Sequence, residues 1–189
     1  MRIISGRARG KKLVEFAGAR VRPTADRVRE ALFSILISRL GTLNGYKILD
    51  LFAGTGALAL EALSRGAQHA ILVEAHPESI KIIQSNIDGC RMHDYAQVLR
   101  GELPAALAST TKSAPFDLIF LDPPYGQGLA QATLTQIAAL ELLSDGGIIV
   151  VETEKGEALP EQIGSLSQAD QRHYGVSTIT TYERTTLPA

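Results

Sequence analysis

Asp122-Pro123-Pro124-Tyr125 packs more potential chemistry into four residues than any other segment of this 189-residue chain. Two successive prolines remove backbone N–H donors and fix the direction of the chain. The Pro123 carbonyl is left free to accept a hydrogen bond beside the Asp122 carboxylate. A carboxylate and a carbonyl side by side suit an exocyclic amino group, which has two N–H donors to place. Holding both protons draws the nitrogen lone pair out of conjugation and aims it at an electrophilic methyl, so that transfer becomes an in-line displacement helped by positioning and electrostatics. Tyr125 offers a flat face for an extruded base, a contact worth about 1–3 kcal/mol, and a base enters such a pocket only by leaving its stack. The plainer reading is a proline-rich turn. Against it, the segment ends an apolar strand, 117–122, on the sheet edge expected to carry two further acids.

Those acids flank a glycine loop. Asp50-Leu51-Phe52-Ala53-Gly54-Thr55-Gly56-Ala57-Leu58-Ala59 follows one strand and opens a helix. Glycines let the backbone approach a ligand, and the helix start offers free N–H groups. Gly54 to Ala59 fits the dinucleotide fingerprint G-x-G-x-x-A, which suits NAD and S-adenosylmethionine alike. Asp50 tilts the choice: a carboxylate there would crowd a pyrophosphate but can receive a cationic amino-acid moiety. Glu74, ending the next strand, can accept ribose hydroxyls. Glu102, followed by Leu103, is placed to meet an adenine amino group, or is an acid favoured by a helix dipole. Phe52, Ala53, Gly54, Thr55 and Gly56 complete the expected cofactor loop.

The elements that position these residues alternate. Strands are expected at 47–51, 70–74, 97–100, 117–122 and 147–151, with helices over 56–65, 77–87, 103–108 and 129–143 between them. The strands are almost wholly apolar, as parallel strands covered on both faces are. The tail, Arg172–Tyr174 and Ser177–Tyr182, reads as a closing antiparallel pair. The fold expected is a doubly wound, Rossmann-like α/β domain over residues 23–189. Ahead of it, residues 1–22 read as a small basic β-hairpin extension, with alternation at 2–5 and 12–15 around Gly6 and Gly10. Thr24 is the expected cap of a helix whose apolar face is Ala31, Leu32, Ile35 and Leu36.

A net charge of −1 hides an asymmetry: residues 1–30 carry +6 and the remainder −7. A basic head on an acidic body points to a polyanion. Arg2, Arg7, Arg9, Lys11, Lys12 and Arg22 are the candidate phosphate contacts. For Thr24, Arg27 and Arg29, RNA, the cofactor carboxylate and local ion pairing remain equal alternatives. One cysteine, Cys90, excludes a disulfide framework and fits a cytoplasmic protein. The four histidines lack ligand spacing, so no metal site is expected. The N-terminus lacks the apolar run of a signal peptide, and no stretch is long enough to span a membrane.

Asp122-Pro123-Pro124-Tyr125 with the glycine loop resembles the amino methyltransferases that act on adenine N6 or guanine N2. The head narrows this. Met1–Leu13 and Arg22–Phe33, with His173-Tyr174-Gly175 and Tyr182-Glu183-Arg184 in the tail, resemble the RsmD family, which methylates guanine N2 in 16S ribosomal RNA. The resemblance covers nearly the whole chain. It implies a seven-stranded sheet with its last strand antiparallel and an N-terminal hairpin projecting toward RNA. It implies S-adenosylmethionine as cofactor, a guanine held by Asp122, Pro123 and Tyr125, and Asp50, Gly54, Gly56 and Glu74 lining the cofactor site. The partner implied is 16S rRNA, the small ribosomal subunit or an assembly intermediate of it. A monomer is the default expectation, since oligomeric state is not readable from the sequence. Glu102 stands where the family more often has Asp.

Three rivals compete. A DNA adenine-N6 methyltransferase usually carries a recognition domain, for which no segment here is long enough, whereas folded RNA supplies specificity by shape. An NAD-dependent oxidoreductase leaves Asp122-Pro-Pro-Tyr unexplained. An RNA-binding module with a dead site would lack Asp50 or Asp122.

Overall fold

The computed structural model describes residues 1–16 and 23–185, with the backbone alone for residues 23–26. It is an α/β fold of four helices and eight strands among the described residues. The chain forms two compact units, Met1–Arg100 and Gly101–Ala189.

In the first unit, β1 (Lys47–Leu51), β2 (His69–Glu74) and β3 (Ala96–Arg100) lie parallel in the order β3-β2-β1. Their partners in sequence are α1 (Pro23–Leu40), α2 (Ala57–Ser64) and α3 (Pro77–Cys90). Residues 48–51 and 70–74 are buried without alternation, as expected of strands covered on both faces. Two details of α1 depart from expectation. The helix covers Pro23–Leu40, so Thr24 lies within it and is not its cap. The buried face is Arg29, Leu32, Phe33 and Leu36, while Ala31 and Ile35 are only half-buried. The true stripe follows i, i+3, i+4, i+7 from a charged residue, so hydrophobicity alone misplaces it.

The head folds back on itself without forming an extended two-stranded ladder. Residues 1–13 carry one antiparallel bridge, Arg2 with Lys12, flanked by cross-arm bonds from Ile3 N to the Lys11 carbonyl at 3.0 Å, Gly10 N to the Ile3 carbonyl at 2.9 Å and Leu13 N to the Met1 carbonyl at 3.2 Å, with a turn at 7–10. Gly6 and Gly10, at φ +82° and +81°, take the left-handed backbone that lets the chain reverse between the two arms. The loop lies on α2. Glu61 Oε2 accepts the Ile4 N–H at 2.7 Å and Oε1 accepts that of Ser5 at 3.0 Å. The Ser64 carbonyl accepts from Arg7 N at 2.8 Å, and Ser64 Oγ from Ala8 N at 3.0 Å. A Cβ on Gly6 would stand 1.8 Å from the Ser64 carbonyl oxygen, so only glycine permits this approach. Ile3 and Leu13 are buried beneath. This covering explains why α2 is buried almost all round and why a wholly buried glutamate sits among its alanines and leucines.

In the second unit, β4 (Phe116–Leu121) and β5 (Leu143–Glu154) are parallel. β8 (Ser177–Arg184) then runs antiparallel to β5, β7 (Leu166–Tyr174) antiparallel to β8, and β6 (Gln162–Ile163) to β7. The strand order is β4-β5-β8-β7-β6. The expected closing pair is β7 and β8. The two-residue β6 makes eight strands where seven were expected; its length is too short to leave a periodic signal. α4 (Leu129–Ala139) ends four residues early, because β5 begins at Leu143 instead of Gly147. The expected short helix near 103–108 is a 3-10 segment at Ala105–Ser113.

Candidate active site

The glycine loop lies in unit one. Parallel pairing of β1 with β2 puts Asp50 and Glu74 at the same strand ends. Asp50 is buried, 2% exposed, and its Oδ2 accepts the Ala59 N–H at 3.1 Å across the turn. Phe52 and Gly54 take positive φ, +60° and +56°, and Gly56 caps α2 at φ +76°. For Phe52 that conformation is strained, and such strain concentrates at ligand-binding turns. A Cβ on Gly54 would meet only the Phe52 carbonyl at 3.9 Å, so the backbone there is open to a close-lying ligand. A Cβ on Gly56 would stand 3.0 Å from Leu72 Cδ2, so this second glycine serves helix-to-sheet packing. Thr55 is tied to α3 through its carbonyl, which accepts from Asn86 Nδ2 at 2.9 Å. Ala53 is buried and its N–H bonds the Val73 carbonyl at 3.2 Å.

Glu74 does more than end a strand. Its Oε2 accepts Gly54 N–H at 2.9 Å, and its Oε1 accepts those of Ala75 and His76 at 2.9 and 3.0 Å. A carboxylate offers about four lone-pair sites, so three amides leave room for one further donor. To accept both hydroxyls of a ribose, one amide bond must yield.

Asp122-Pro123-Pro124-Tyr125 lies in unit two. β4 ends at Leu121, which pairs with Val151, so Asp122 just past β4 lies beside Glu152, which is still inside β5 and pairs with Ile179 of β8. Pro123 is buried, and Pro124 and Tyr125 are exposed. The Tyr125 hydroxyl donates to Glu152 Oε1 at 3.3 Å and shares a hydrogen with Ser177 Oγ at 3.2 Å. That ties the motif to both β5 and β8. Asp122 keeps an exposed surface, yet its carboxyl is surrounded by enough protein to lose solvation. This loss, followed by the charge of Glu152, pushes its pKa from 3.8 up to about 7. The same loss of solvation raises the Tyr125 hydroxyl. Glu102 is exposed and Leu103 buried, just ahead of the 3-10 segment.

Glu152 and Ser177 escaped the sequence reading. The signal for Glu152 was present: it ends an apolar run, 148–151, as Asp122 and Glu74 end theirs. Ser177 had none, because it is brought in by antiparallel pairing of the tail.

Of the candidate phosphate contacts, Arg2, Arg7, Arg9, Lys11 and Lys12 are all exposed on the docked head. The Arg7 guanidinium lies 4.0 Å over the Tyr95 ring. Arg22 lies outside the described residues, as does the Thr24 side chain. Arg27 is exposed; Arg29 is buried and donates from Nη2 to the Arg2 carbonyl. Cys90 is half-buried, its thiol pushed up by burial against the opposing charge of Lys11. No helix among the described residues is long and apolar enough to cross a membrane.

Comparison with known proteins gives this geometry its context. The family described as "Conserved hypothetical protein 95" matches residues 1–183. The chain belongs to this RsmD-like family. "Putative rRNA methyltransferase YlbH" of Bacillus subtilis is 37% identical over 97% of this chain and 99% of its own. "Ribosomal RNA small subunit methyltransferase D" of Escherichia coli K12 is 37% identical over 85% of this chain and 78% of its own. Among solved structures, "Putative methyltransferase yhhF from Escherichia coli" superposes with a TM-score of 0.84, at 35% identity and 97% of each chain. An RsmD-like chain is an S-adenosylmethionine-dependent methyltransferase. The glycine loop fits that cofactor: open backbone at Gly54, a buried carboxylate at Asp50 and a carboxylate at Glu74 with room for one further donor.

Proposed function

We propose that this RsmD-like protein methylates the exocyclic N2 amine of a guanine in 16S ribosomal RNA, within free RNA, the small subunit or an assembly intermediate. The observation that carries the reading is Asp122: a carboxyl with no hydrogen-bond donor among the described residues, at the head of a proline pair that leaves a carbonyl free beside it. A carboxylate so placed needs donors, and a base amine supplies two.

The cofactor, when bound, supplies the electrophilic methyl of its sulfonium. Asp50 would hold its ammonium group, Glu74 its ribose and Glu102 with Leu103 its adenine. Phe52 to Gly56 would lie along it. Asp122 and the Pro123 carbonyl take one N–H each of the target amine and turn its lone pair outward. Pro124 keeps this backbone rigid, and Tyr125, held by Glu152 and Ser177, gives the base a fixed face to stack on. As the N–C bond forms, positive charge develops on nitrogen beside Asp122. A carboxyl that titrates near 7 stabilises that charge and takes the departing proton. Arg2, Arg7, Arg9, Lys11, Lys12 and Arg22 hold phosphates, which position without reading sequence.

The test is methyl transfer from labelled S-adenosylmethionine to unmodified 16S RNA, to small subunits and to duplex DNA, with nucleosides identified by mass. N2-methylguanosine that disappears with Asp122→Ala supports the reading. N6-methyladenine in its place keeps the chemistry and removes the guanine assignment.

A further inference from the structure

We propose that Glu152 touches the target base and selects guanine, by accepting the N1–H that adjoins the reactive amine. The inference rests on the guanine-N2 reading above and adds to it a residue that decides which purine edge is accepted.

The edge of guanine that carries N2 presents three N–H groups in a row, two on the amine and one on N1. Asp122 and the Pro123 carbonyl absorb the first two, and neither distinguishes guanine from adenine, whose amine also has two. Adenine differs at the adjoining ring nitrogen, which carries a lone pair and no hydrogen. A third acceptor beside Asp122 therefore decides between them, and a carboxylate decides most strongly, since a lone pair facing it is repelled.

Glu152 stands in that place. It follows Val151 as Asp122 follows Leu121, and those two residues are paired in register. Its charge reaches Asp122 strongly enough to strengthen that residue's hold on a proton. Only Oε1 is engaged, by the long 3.3 Å bond from Tyr125, and Tyr125 has Ser177 as a second partner. Oε2 has no hydrogen-bond partner among the described residues, although Glu152 is half-buried. Leaving a half-buried carboxylate oxygen without a donor is costly, and a base N–H removes the cost only when substrate is bound.

The experiment uses 2-aminopurine, which keeps the C2 amine and replaces N1–H by a lone pair. The target nucleotide, mapped by mass in 16S RNA, is replaced by ligation, and kcat/KM is measured for both substrates. The wild type is expected to prefer guanine by at least about 100-fold, as sites built around a substrate N–H do. In Glu152→Gln the side-chain amide can donate to the lone pair, and the preference falls to within about tenfold. Tyr125→Phe lowers both rates and keeps the wild-type preference. Equal wild-type rates on the two purines overturn the proposal without any variant. So does an E152Q protein that slows both substrates by the same factor, since Glu152 would then only position Tyr125. Absence of any methylguanosine from the wild type is a different result and removes the guanine-N2 reading itself, together with this inference.

Discussion

Glu61 accepts the backbone N–H of Ile4 at 2.7 Å, across 57 residues of sequence. The same carboxylate takes the Ser5 N–H at 3.0 Å and pairs with Arg65 Nε at 2.7 Å. A wholly buried acid is thereby satisfied by the segment that carries the basic residues, which makes the head part of the folded unit.

Removing that acid should release the head. Glu61→Ala strands two backbone amides and a guanidinium, and breaking a buried pair of this kind costs about 3–5 kcal/mol. Denaturant unfolding should show the loss, and limited trypsin treatment should cut at Arg7 and Arg9 faster than in the wild type. Unchanged cleavage would mean that the head is held by other contacts.

Gly6→Ala attacks the same seam from the other side. The added methyl meets the Ser64 carbonyl at 1.8 Å and the backbone is at φ +82°. Overpacking and left-handed strain each cost of order 1–3 kcal/mol. A lower melting temperature is expected, with weaker RNA binding, whereas Gly10→Ala, with nothing within 4 Å, should show the strain alone.

Asp50→Asn separates cofactor affinity from stability. Its Oδ2 accepts from Ala59 N, a bond that an amide oxygen can keep. Removal of the charge should weaken binding of the cofactor ammonium by roughly 10–100-fold, since hydrogen bonds to charged groups are worth about 1.5–3 kcal/mol. Calorimetric titration with S-adenosylmethionine, alongside a melting curve that hardly moves, is the check.

Asp122 should impose a pH dependence on both activity and stability. Its carboxyl is raised from 3.8 to about 7, so the folded state holds the proton more tightly than the unfolded chain. Its contribution to stability is therefore fully present below about pH 4 and is lost as pH rises toward and through 7. Methyl transfer should rise over the same upper range as the carboxylate forms. Asp122→Asn cannot ionise, so its melting temperature should gain on the wild type between pH 5 and pH 8 while activity falls at least about 100-fold. A constant gap in melting temperature would show an unperturbed carboxyl.

Salt should reveal the head's partner. Each phosphate that a basic side chain neutralises adds about 0.7–0.9 to the steepness with which log affinity falls against log salt. Replacing Lys11 and Lys12 together by Ala should reduce the slope for 16S RNA by roughly 1.4–1.8 if both meet phosphates. A slope that stays constant would place the RNA on another face.

Local chemistry was readable from the sequence wherever it depends on neighbours along the chain. Apolar runs announced β1, β2, β4 and the centre of β5, because strands buried on both faces need no alternation. Acids ending two of those runs, glycines opening a turn and a proline pair after β4 marked the candidate site, since conformational restriction is a property of residue type. The tertiary structure decided whatever depends on distant partners. Glu61 is wholly buried because the head covers it and donates two backbone N–H groups to it. Residues 1–13 do fold back on themselves, but where they lie is set by Gly6 docking on Ser64 and by the N–H groups of Ile4, Ser5, Arg7 and Ala8 donating to α2. Glu152 and Ser177 become partners of Tyr125 only once β5 lies between β4 and β8. Hydrogen bonds and charges act over a few ångströms in space, and distance along the chain does not report that separation.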